Sequence, residues 1–280
     1  MSDIHLYEGF YPGAPPCRIY YRFYQRHQRS YAPTILIVHG LGEHSGRYQE
    51  LIQHLLKLGL QVACPDLRGH GLSSGTRGHT WKFAHYYEDI LRLQKRLSLY
   101  RPILLGHSMG GLIALRFAQL YPEHCRALVL SSPLLGVAVE VPPLKQIFAK
   151  IAFHLLPTLR LANEIDPQHL SHDLEKVRQY QNDPLVHAWV TPRWFGEMQA
   201  QLALAHRNAQ KLRLPLLLQL AGDDRICDPA QAENFFHHCA SSPKTILRYP
   251  GLFHEIYNEL ERKQVFLDLA QWLKNTLKIP

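Results

Sequence analysis

The five residues Gly106-His107-Ser108-Met109-Gly110 decide the fold of this 280-residue chain. The apolar run at 103–105 predicts a buried strand directly before them, and the stretch at 111–118 predicts a helix directly after them. The pattern is therefore Gly-x-Ser-x-Gly at a strand–turn–helix junction, which lifts a serine hydroxyl above the edge of a sheet. A hydroxyl in that position can be reached by a base and by a substrate, so the sequence predicts a serine nucleophile.

The residues around Ser108 favour this interpretation over an inert serine in a glycine-rich turn. Glycines at 106 and 110 allow a strained backbone and close packing at the turn. The N-terminus of the helix that follows Ser108 favours a developing oxyanion. In this context the five residues have the form of the nucleophile elbow of α/β-hydrolases, and we expect Ser108 to be the nucleophile.

Apolar strand-like runs alternate with helical patterns along most of the chain. Continuous apolar strands of this kind are typical of a mostly parallel sheet with helices on both faces, which predicts the α/β class and the α/β-hydrolase fold. The strands are predicted at 5–10, 18–24, 34–38, 61–63, 103–105, 127–130, 214–220 and 245–249, and the helices at 48–58, 81–99, 112–120, 230–239 and 260–277.

One region interrupts this alternation. Between Pro133 and Leu212 the sequence contains no clear strand, and prolines punctuate segments with a helical pattern. The region is too long for a plain connection in a compact domain. We therefore expect a core formed by residues 1–133 and 212–280, with residues 134–211 inserted as a helical cap.

Composition excludes several classes of protein. No apolar run is long enough for a membrane span, and the N-terminus has no signal-peptide pattern. Five cysteines without a Cys-x-x-Cys pair fit reduced thiols in the cytoplasm, not a disulfide framework or a zinc site. The formal net charge of +8 is spread along the chain without a nucleic-acid motif, so we expect no nucleic-acid partner. Peripheral contact with anionic lipid is the more specific interpretation of this charge, and a generally solvated surface is the more common one.

The remaining catalytic residues are expected in the chain order serine, acid, histidine. His254 lies in the loop that follows the last predicted strand, where the base of this fold belongs. The acid is expected after the preceding strand, where Asp223, Asp224 and Asp228 compete. Asp228 directly precedes a proline, which is typical of a helix N-cap. The residues alone leave Asp223 and Asp224 as alternatives for the acid that orients His254.

An oxyanion hole requires two backbone N–H groups beside the nucleophile. One is expected from Met109, the residue after the serine, and the other from the loop after an early strand, where Leu41 is well placed. Chemistry of this kind requires no metal and no organic cofactor.

The same early loop leaves other classes of function open. Gly40-x-Gly42-x-x-Ser45 is one residue from a dinucleotide fingerprint, and Asp66 follows at about the spacing of a ribose-binding acid. That interpretation lacks the third glycine and leaves the predicted serine, acid and histidine unexplained. His254 is followed by glutamate, but the second histidine of a zinc peptidase motif is missing. A ligand-binding protein with a hydrolase fold and no turnover is the third alternative.

Several motifs together resemble the family of monoacylglycerol lipases and bacterial lysophospholipases. They are HGLGEHSGRY at 39–48, DLRGHGLS at 66–73, RGH at 77–79, GHSMGG at 106–111 and NDPLVH at 182–187. The resemblance implies that the acid is Asp224, and that Cys227 lies near the site without acting as a nucleophile. The implied activity is hydrolysis of a carboxylic ester of a single-chain lipid through an acyl-enzyme. Monoacylglycerol is the first choice of substrate, and lysophospholipid is the alternative.

The predicted cap supports a lipid substrate independently of the resemblance. Apolar residues recur at helical spacing between positions 144 and 156, with two lysines beside them. This stripe either packs on the core or lines an acyl tunnel. A helix of this kind can also lie among lipid headgroups, which predicts peripheral contact with anionic membranes. In the tunnel interpretation, the acyl chain contacts Ile147, Phe148 and Ile151.

Overall fold

The structure is a computed structural model that describes residues 4–26, 32–138, 148 and 151–279. The strands within these ranges are β1 (Ile4–Pro12), β2 (Arg18–Arg26), β3 (Thr34–Val38), β4 (Gln61–Pro65), β5 (Ile103–His107), β6 (Ala127–Ser131), β7 (Leu161–Ala162), β8 (Trp189–Val190), β9 (Leu216–Ala221) and β10 (Lys244–Tyr249). The helices with both ends described are α1 (Gln49–Lys57), α2 (Ala84–Arg96), α3 (Met109–Leu120), α4 (Leu174–Asn182), α5 (Pro192–Arg207), α6 (Pro229–His238) and α7 (Arg262–Leu277). Residues 151–155 are helical as well.

Eight strands form one sheet in the order β1-β2-β4-β3-β5-β6-β9-β10. The pairs β1–β2 and β2–β4 are antiparallel, and every pair from β4 to β10 is parallel. Parallel strands end at the same edge of a sheet, so the loops after β3, β5, β9 and β10 converge there. The predicted serine, acid and histidine lie on these loops.

Buried side chains cover both faces of the sheet. In β3, Leu36 and Val38 pack with α2, α3 and α6 on one face, whereas Ile35 and Ile37 pack with α1 and α7 on the other. This alternation is the period of two expected for a strand that is buried on both faces. Full burial of each such side chain stabilises the fold by about 1.5–3 kcal/mol. The sheet and its two helical layers confirm the predicted α/β class.

The chain between β6 and β9 contributes no described strand to the large sheet. It contains α4, α5 and the small antiparallel pair β7–β8, in which Leu161 lies opposite Val190. The sequence predicted no strand here because two residues are too few to establish a period. Backbone hydrogen bonds join this segment to three loops of the core: His187 N–H to Gly42 O, Thr191 N–H to Gly78 O, and Glu255 N–H to Leu170 O. None of the helices within the described ranges is long and apolar enough to cross a membrane.

Close packing of α3 against the sheet generates a stability prediction. A Cβ added to Gly110 would overlap the carbonyl oxygens of Val38 and His39, which belong to β3 and the residue after it. Gly110→Ala should therefore lower stability by about 1–3 kcal/mol through overpacking, measured as a lower denaturation temperature. Gly9→Ala is the matched control, because a Cβ there meets no atom within 4 Å. Equal denaturation temperatures for the two variants would contradict this account of the elbow.

Candidate active site

Ser108 lies at the sharp turn between β5 and α3. Its φ of 54° and ψ of −122° form a backbone conformation that residues other than glycine rarely adopt. The turn can be tight because Gly106 has no side chain, since a Cβ there would overlap the carbonyl oxygen of Gly110. The N–H of Ser108 donates to the carbonyl oxygen of Ser131 over 3.1 Å, which ties the turn to the end of β6. The serine is partly exposed, so its hydroxyl stands at the edge of the sheet in the manner of a nucleophile elbow.

His254 and Asp224 lie on the loops after the neighbouring strands β10 and β9. Asp224 Oδ2 accepts a hydrogen bond from His254 Nδ1 over 2.8 Å, and Oδ1 accepts two backbone N–H groups, each over 2.9 Å. The preceding Asp223 instead pairs with Arg225 over 3.1 Å, with both side chains half exposed. The structure therefore brings Asp224, and not Asp223, to His254.

The charges around His254 favour its protonated form. Burial opposes protonation, but Asp224 outweighs this effect, and Glu255 and Glu43 add to it, so the pKa of His254 is raised above its ordinary value. Burial would raise the pKa of Asp224, but the pairing with His254 and the backbone N–H groups lower it. The ring of His107 packs on His254 with centroids 4.8 Å apart, and burial followed by the His254 charge lowers the pKa of His107 to about 4.

The loop after β3 (residues 39–48) packs directly against the serine. A Cβ on Gly40 would lie 3.3 Å from Ser108 Cβ. The N–H of Gly40 donates to Glu43 Oε1 over 2.6 Å, whereas among the described residues no hydrogen bond engages the N–H of Leu41. Met109 is the first residue of α3, where helix N–H groups have no partner inside the helix. The two N–H groups predicted to hold an oxyanion thus lie on elements that flank Ser108.

A small cavity joins the serine to the segment between β6 and β9. Ser108, His254 and Leu41 line it from the core, and Ile165, Leu170 and Tyr180 line it from that segment. The latter three residues were not predicted, because nothing in their sequence pattern distinguishes lining from packing.

The apolar stripe predicted to contact an acyl chain lies elsewhere. Phe148 and Ile151 are 50% and 55% exposed and do not border the cavity, and Ile147 lies outside the described residues. The helix at 151–155 buries Ala152, and Phe153 of the same helix lies under Arg193, whose guanidinium carbon is 4.3 Å from the ring centroid. Contact of the stripe with substrate therefore stays a prediction.

A buried charge network behind the cavity was also missed from the sequence. Glu43 accepts hydrogen bonds from Tyr48 Oη over 2.6 Å and from Arg47 over 3.1 Å. Arg47 also donates twice to Glu255, over 2.5 and 2.7 Å. Burial would raise the pKa of Glu43, but Arg47 lowers it to about 2. The only signal in the sequence was the spacing of four between Glu43 and Arg47, which more often marks an exposed helix pair.

Two other functions suggested by residue types are not supported by the geometry. Asp66 is buried, and its two oxygens accept backbone N–H groups of Ser45 and Leu72 over 2.9 and 2.8 Å, so neither faces a ribose. Asp224, Cys227 and His254 are the one described group whose metal-ligating atoms lie within 4.8 Å of one another. Hydrogen bonds to His254 and to the backbone already engage both oxygens of Asp224, so this group is better explained as an acid–histidine pair.

Comparison with known proteins places these observations in a family. Residues 30–261 match the family model described as serine aminopeptidase, S33. The chain is 34% identical over 251 residues to a monoacylglycerol lipase from Mycolicibacterium smegmatis, covering 87% of this chain and 89% of the relative. It is 33% identical over 237 residues to phospholipase YtpA from Bacillus subtilis, covering 83% and 92%. The crystal structure of a monoacylglycerol lipase from Paleococcus ferrophilus matches with a TM-score of 0.83 and 32% identity, covering 96% and 98%. These similarities confirm the resemblance and the hydrolase fold predicted from the motifs.

The raised pKa of His254 generates a prediction about pH. Only a neutral imidazole can accept the serine proton, so the reactivity of Ser108 toward a fluorophosphonate should rise with pH. Because Asp224 raises the pKa of His254, the midpoint of this rise should lie above the ordinary histidine value of about 6.5. Labelling rates over a pH series measure the midpoint, and Asp224→Asn should move it to lower pH. A wild-type midpoint below the ordinary value would contradict the charge arrangement.

Proposed function

We propose that this chain, which belongs to the serine aminopeptidase S33 family of α/β-hydrolases, hydrolyses monoacylglycerol to a fatty acid and glycerol. The observation that carries the proposal is the convergence of Ser108, His254 and Asp224 at one edge of the sheet, beside a cavity that Ile165, Leu170 and Tyr180 also line. Relatives named monoacylglycerol lipase, from Mycolicibacterium smegmatis and from Paleococcus ferrophilus, support a lipid ester as the substrate.

In the proposed mechanism, each residue acts through chemistry that its surroundings allow. Ser108 attacks the ester carbonyl while His254 accepts its proton, and the N–H groups of Leu41 and Met109 stabilise the oxyanion. His254 then protonates the leaving glycerol, and water hydrolyses the acyl-enzyme with His254 again as the base. Asp224 holds the imidazole tautomer and stabilises the imidazolium. Every proton in this scheme moves through His254, so no metal or organic cofactor takes part.

The charges near the cavity favour a neutral head group over a phosphate. Within the described residues, no lysine or arginine lines the cavity, whereas Glu43 and Glu255 do. The nearby Arg47 already donates to both of these carboxylates. Recognition of a phosphate normally uses an arginine or lysine that is free to donate. A lysophospholipid, suggested by the phospholipase relative, is therefore the second candidate, and glycerol hydroxyls suit the site better.

We also propose that residues 134–211 form a cap over a core of residues 1–133 and 212–280. The proposal rests on two features of the described part of that segment: its strands stay outside the large sheet, and Ile165, Leu170 and Tyr180 border the cavity. A cap in this position shields the acyl-enzyme and limits the acyl chains that can enter.

A substrate panel tests the proposal directly. Purified protein should hydrolyse monoacylglycerols faster than lysophospholipids, and short p-nitrophenyl esters should also be cleaved. Ser108→Ala should abolish turnover and fluorophosphonate labelling, with a loss on the order of 10⁶-fold in rate. If lysophospholipids were cleaved faster than monoacylglycerols, lysophospholipid would become the proposed substrate. A folded wild-type protein that is neither labelled nor active would instead indicate a ligand-binding protein without turnover.

The adjacent aspartates provide a matched pair of variants. Asp224→Asn should lower kcat by on the order of 10⁴-fold, because the amide no longer stabilises the imidazolium or fixes the His254 tautomer. Asp223→Asn should leave kcat near that of the wild type, because within the described residues the Asp223 side chain pairs with the exposed Arg225 and not with His254. Steady-state kinetics on a short ester compare the two variants. The reverse ranking would reject Asp224 as the acid.

We propose further that the chain collects its substrate at a membrane surface. Phe148, Ile151 and Leu155 follow the spacing of one helix face and are 50%, 55% and 74% exposed. An exposed apolar face of this kind is typical of a helix that lies among lipid headgroups. The net charge of +8 would assist approach to anionic lipid. Five free cysteines support a reducing, cytoplasmic location beside such a membrane.

The membrane proposal predicts a difference between two substrates. The double variant Phe148→Ser, Ile151→Ser should lose far more activity on monoacylglycerol in anionic vesicles than on a short soluble ester. Vesicle binding of the wild type should weaken as salt is added, because counterions screen the attraction. Leu267→Ser is the matched control, since Leu267 is 55% exposed on α7 of the core. An equal loss of activity on both substrates would show that the stripe acts as pocket wall or core. No loss of activity on either substrate would show that the stripe does not contact the lipid, and either outcome would contradict the membrane proposal.

A further inference from the structure

Glu259 is a fully buried carboxylate at the junction between the His254 loop (residues 250–261) and the proposed cap. Burial of a carboxylate is costly unless hydrogen bonds replace those it made to water. Here four donors do so: Phe253 N–H, His172 Nδ1, His172 N–H and Leu260 N–H, over 2.7, 2.8, 2.9 and 3.3 Å. A carboxylate bound in this way fixes both segments that donate to it.

Both neighbours of His254 are held at the backbone by this junction. On one side, the N–H of Phe253 donates to the buried carboxylate over 2.7 Å. On the other side, the N–H of Glu255 donates to the carbonyl oxygen of Leu170 over 2.8 Å. The ring of His172 also stacks on Phe253, with centroids 3.7 Å apart. The backbone that carries His254 is therefore fixed against residues 170–172.

We infer that Glu259 is a positioning residue for the catalytic base. By fixing the His254 loop against residues 170–172, its carboxylate holds the imidazole at Asp224 and on the same cavity as Ser108. A displacement of the base by about 1 Å is enough to cost on the order of 10²-fold in rate. The inference rests on the proposed role of His254, and it adds that the cap segment and the base are positioned as one unit.

Glu259→Gln tests this inference with little change in volume. The amide keeps one acceptor oxygen but directs an NH₂ group at N–H donors, so the loop should shift. We expect kcat for a short soluble ester to fall on the order of 10²-fold with KM unchanged. The far-downfield proton resonance of His254 Nδ1–H should also shift or broaden. A change in stability alone would move neither the kcat of folded enzyme nor this resonance.

Asp173→Asn is the matched control in the same segment. Asp173 bonds the backbone N–H groups at the start of α4 and pairs with Arg262 over 3.0 Å, and none of its hydrogen bonds goes to residues 252–258. The Asp173→Asn variant should keep the wild-type kcat and the wild-type resonance of His254 Nδ1–H, even if its denaturation temperature falls. Folded Glu259→Gln with wild-type kcat, or an equal loss of kcat in both variants, would overturn the inference.

His172→Ala provides the second variant if Glu259→Gln does not fold. The His172 side chain is 43% exposed, so its removal opens no core, yet it deletes one donor to Glu259 and the ring stacked on Phe253. We expect roughly tenfold lower kcat and the same displaced resonance; wild-type values for both would overturn the inference. The short ester keeps this test separate from substrate identity. Absence of wild-type labelling at Ser108 would instead refute the proposed function itself.

Discussion

The close approach of α3 to the central sheet is the constraint on which the site depends. The turn before α3 can be this tight only because glycines stand at 106 and 110, where any side chain would overlap backbone atoms. The same tightness forces Ser108 into a positive φ and raises its hydroxyl at the sheet edge. It also places the first N–H of α3 next to that hydroxyl, where no helical carbonyl accepts it. One packing constraint thus produces the exposed serine and one of its expected oxyanion donors together.

Electrostatics then distinguish groups that are similar in sequence. Asp223 and Asp224 are adjacent, yet only the second is buried against an imidazole, whereas the first is half exposed and pairs with Arg225. Of the neighbouring rings His107 and His254, burial without a carboxylate partner lowers the pKa of the first, and Asp224 raises that of the second. A base whose pKa differs in this way from its neighbour can cycle through imidazolium while the neighbour stays neutral.

The sequence predicted the fold well because its strands are continuous apolar runs that end in loops of distinctive composition. Ser108, His254 and an acid at Asp223 or Asp224 could be proposed as a set, since parallel strands bring their carboxyl ends to one edge whatever lies between them in the chain. The choice of Asp224 over Asp223 came from the family resemblance, not from the strand pattern. Glu43, Arg47, Glu255 and Glu259 could not be proposed, because each is an ordinary charged residue until the fold buries it. The sequence also did not predict the cavity residues Ile165, Leu170 and Tyr180, for a related reason. Their position at the cavity depends on how the segment 134–211 packs on the core, and no periodicity in the sequence predicts that packing.

In the proposed cap, docking of this segment would couple substrate access to the alignment of the site. His187 bonds to the carbonyl oxygen of Gly42 in the loop after β3, and residues 170–172 hold the His254 loop through Glu259. Lifting residues 170–187 as a body would therefore release the loop after β3 and the His254 loop at once. The helix at 151–155 differs, because its described contacts with α5 are made by Phe153, while Ile151 and Leu155 are exposed. In the proposed cap, adjustment of the helix at 151–155 to an acyl chain would thus disturb the loops that carry the proposed catalytic residues less than adjustment of residues 170–187 would.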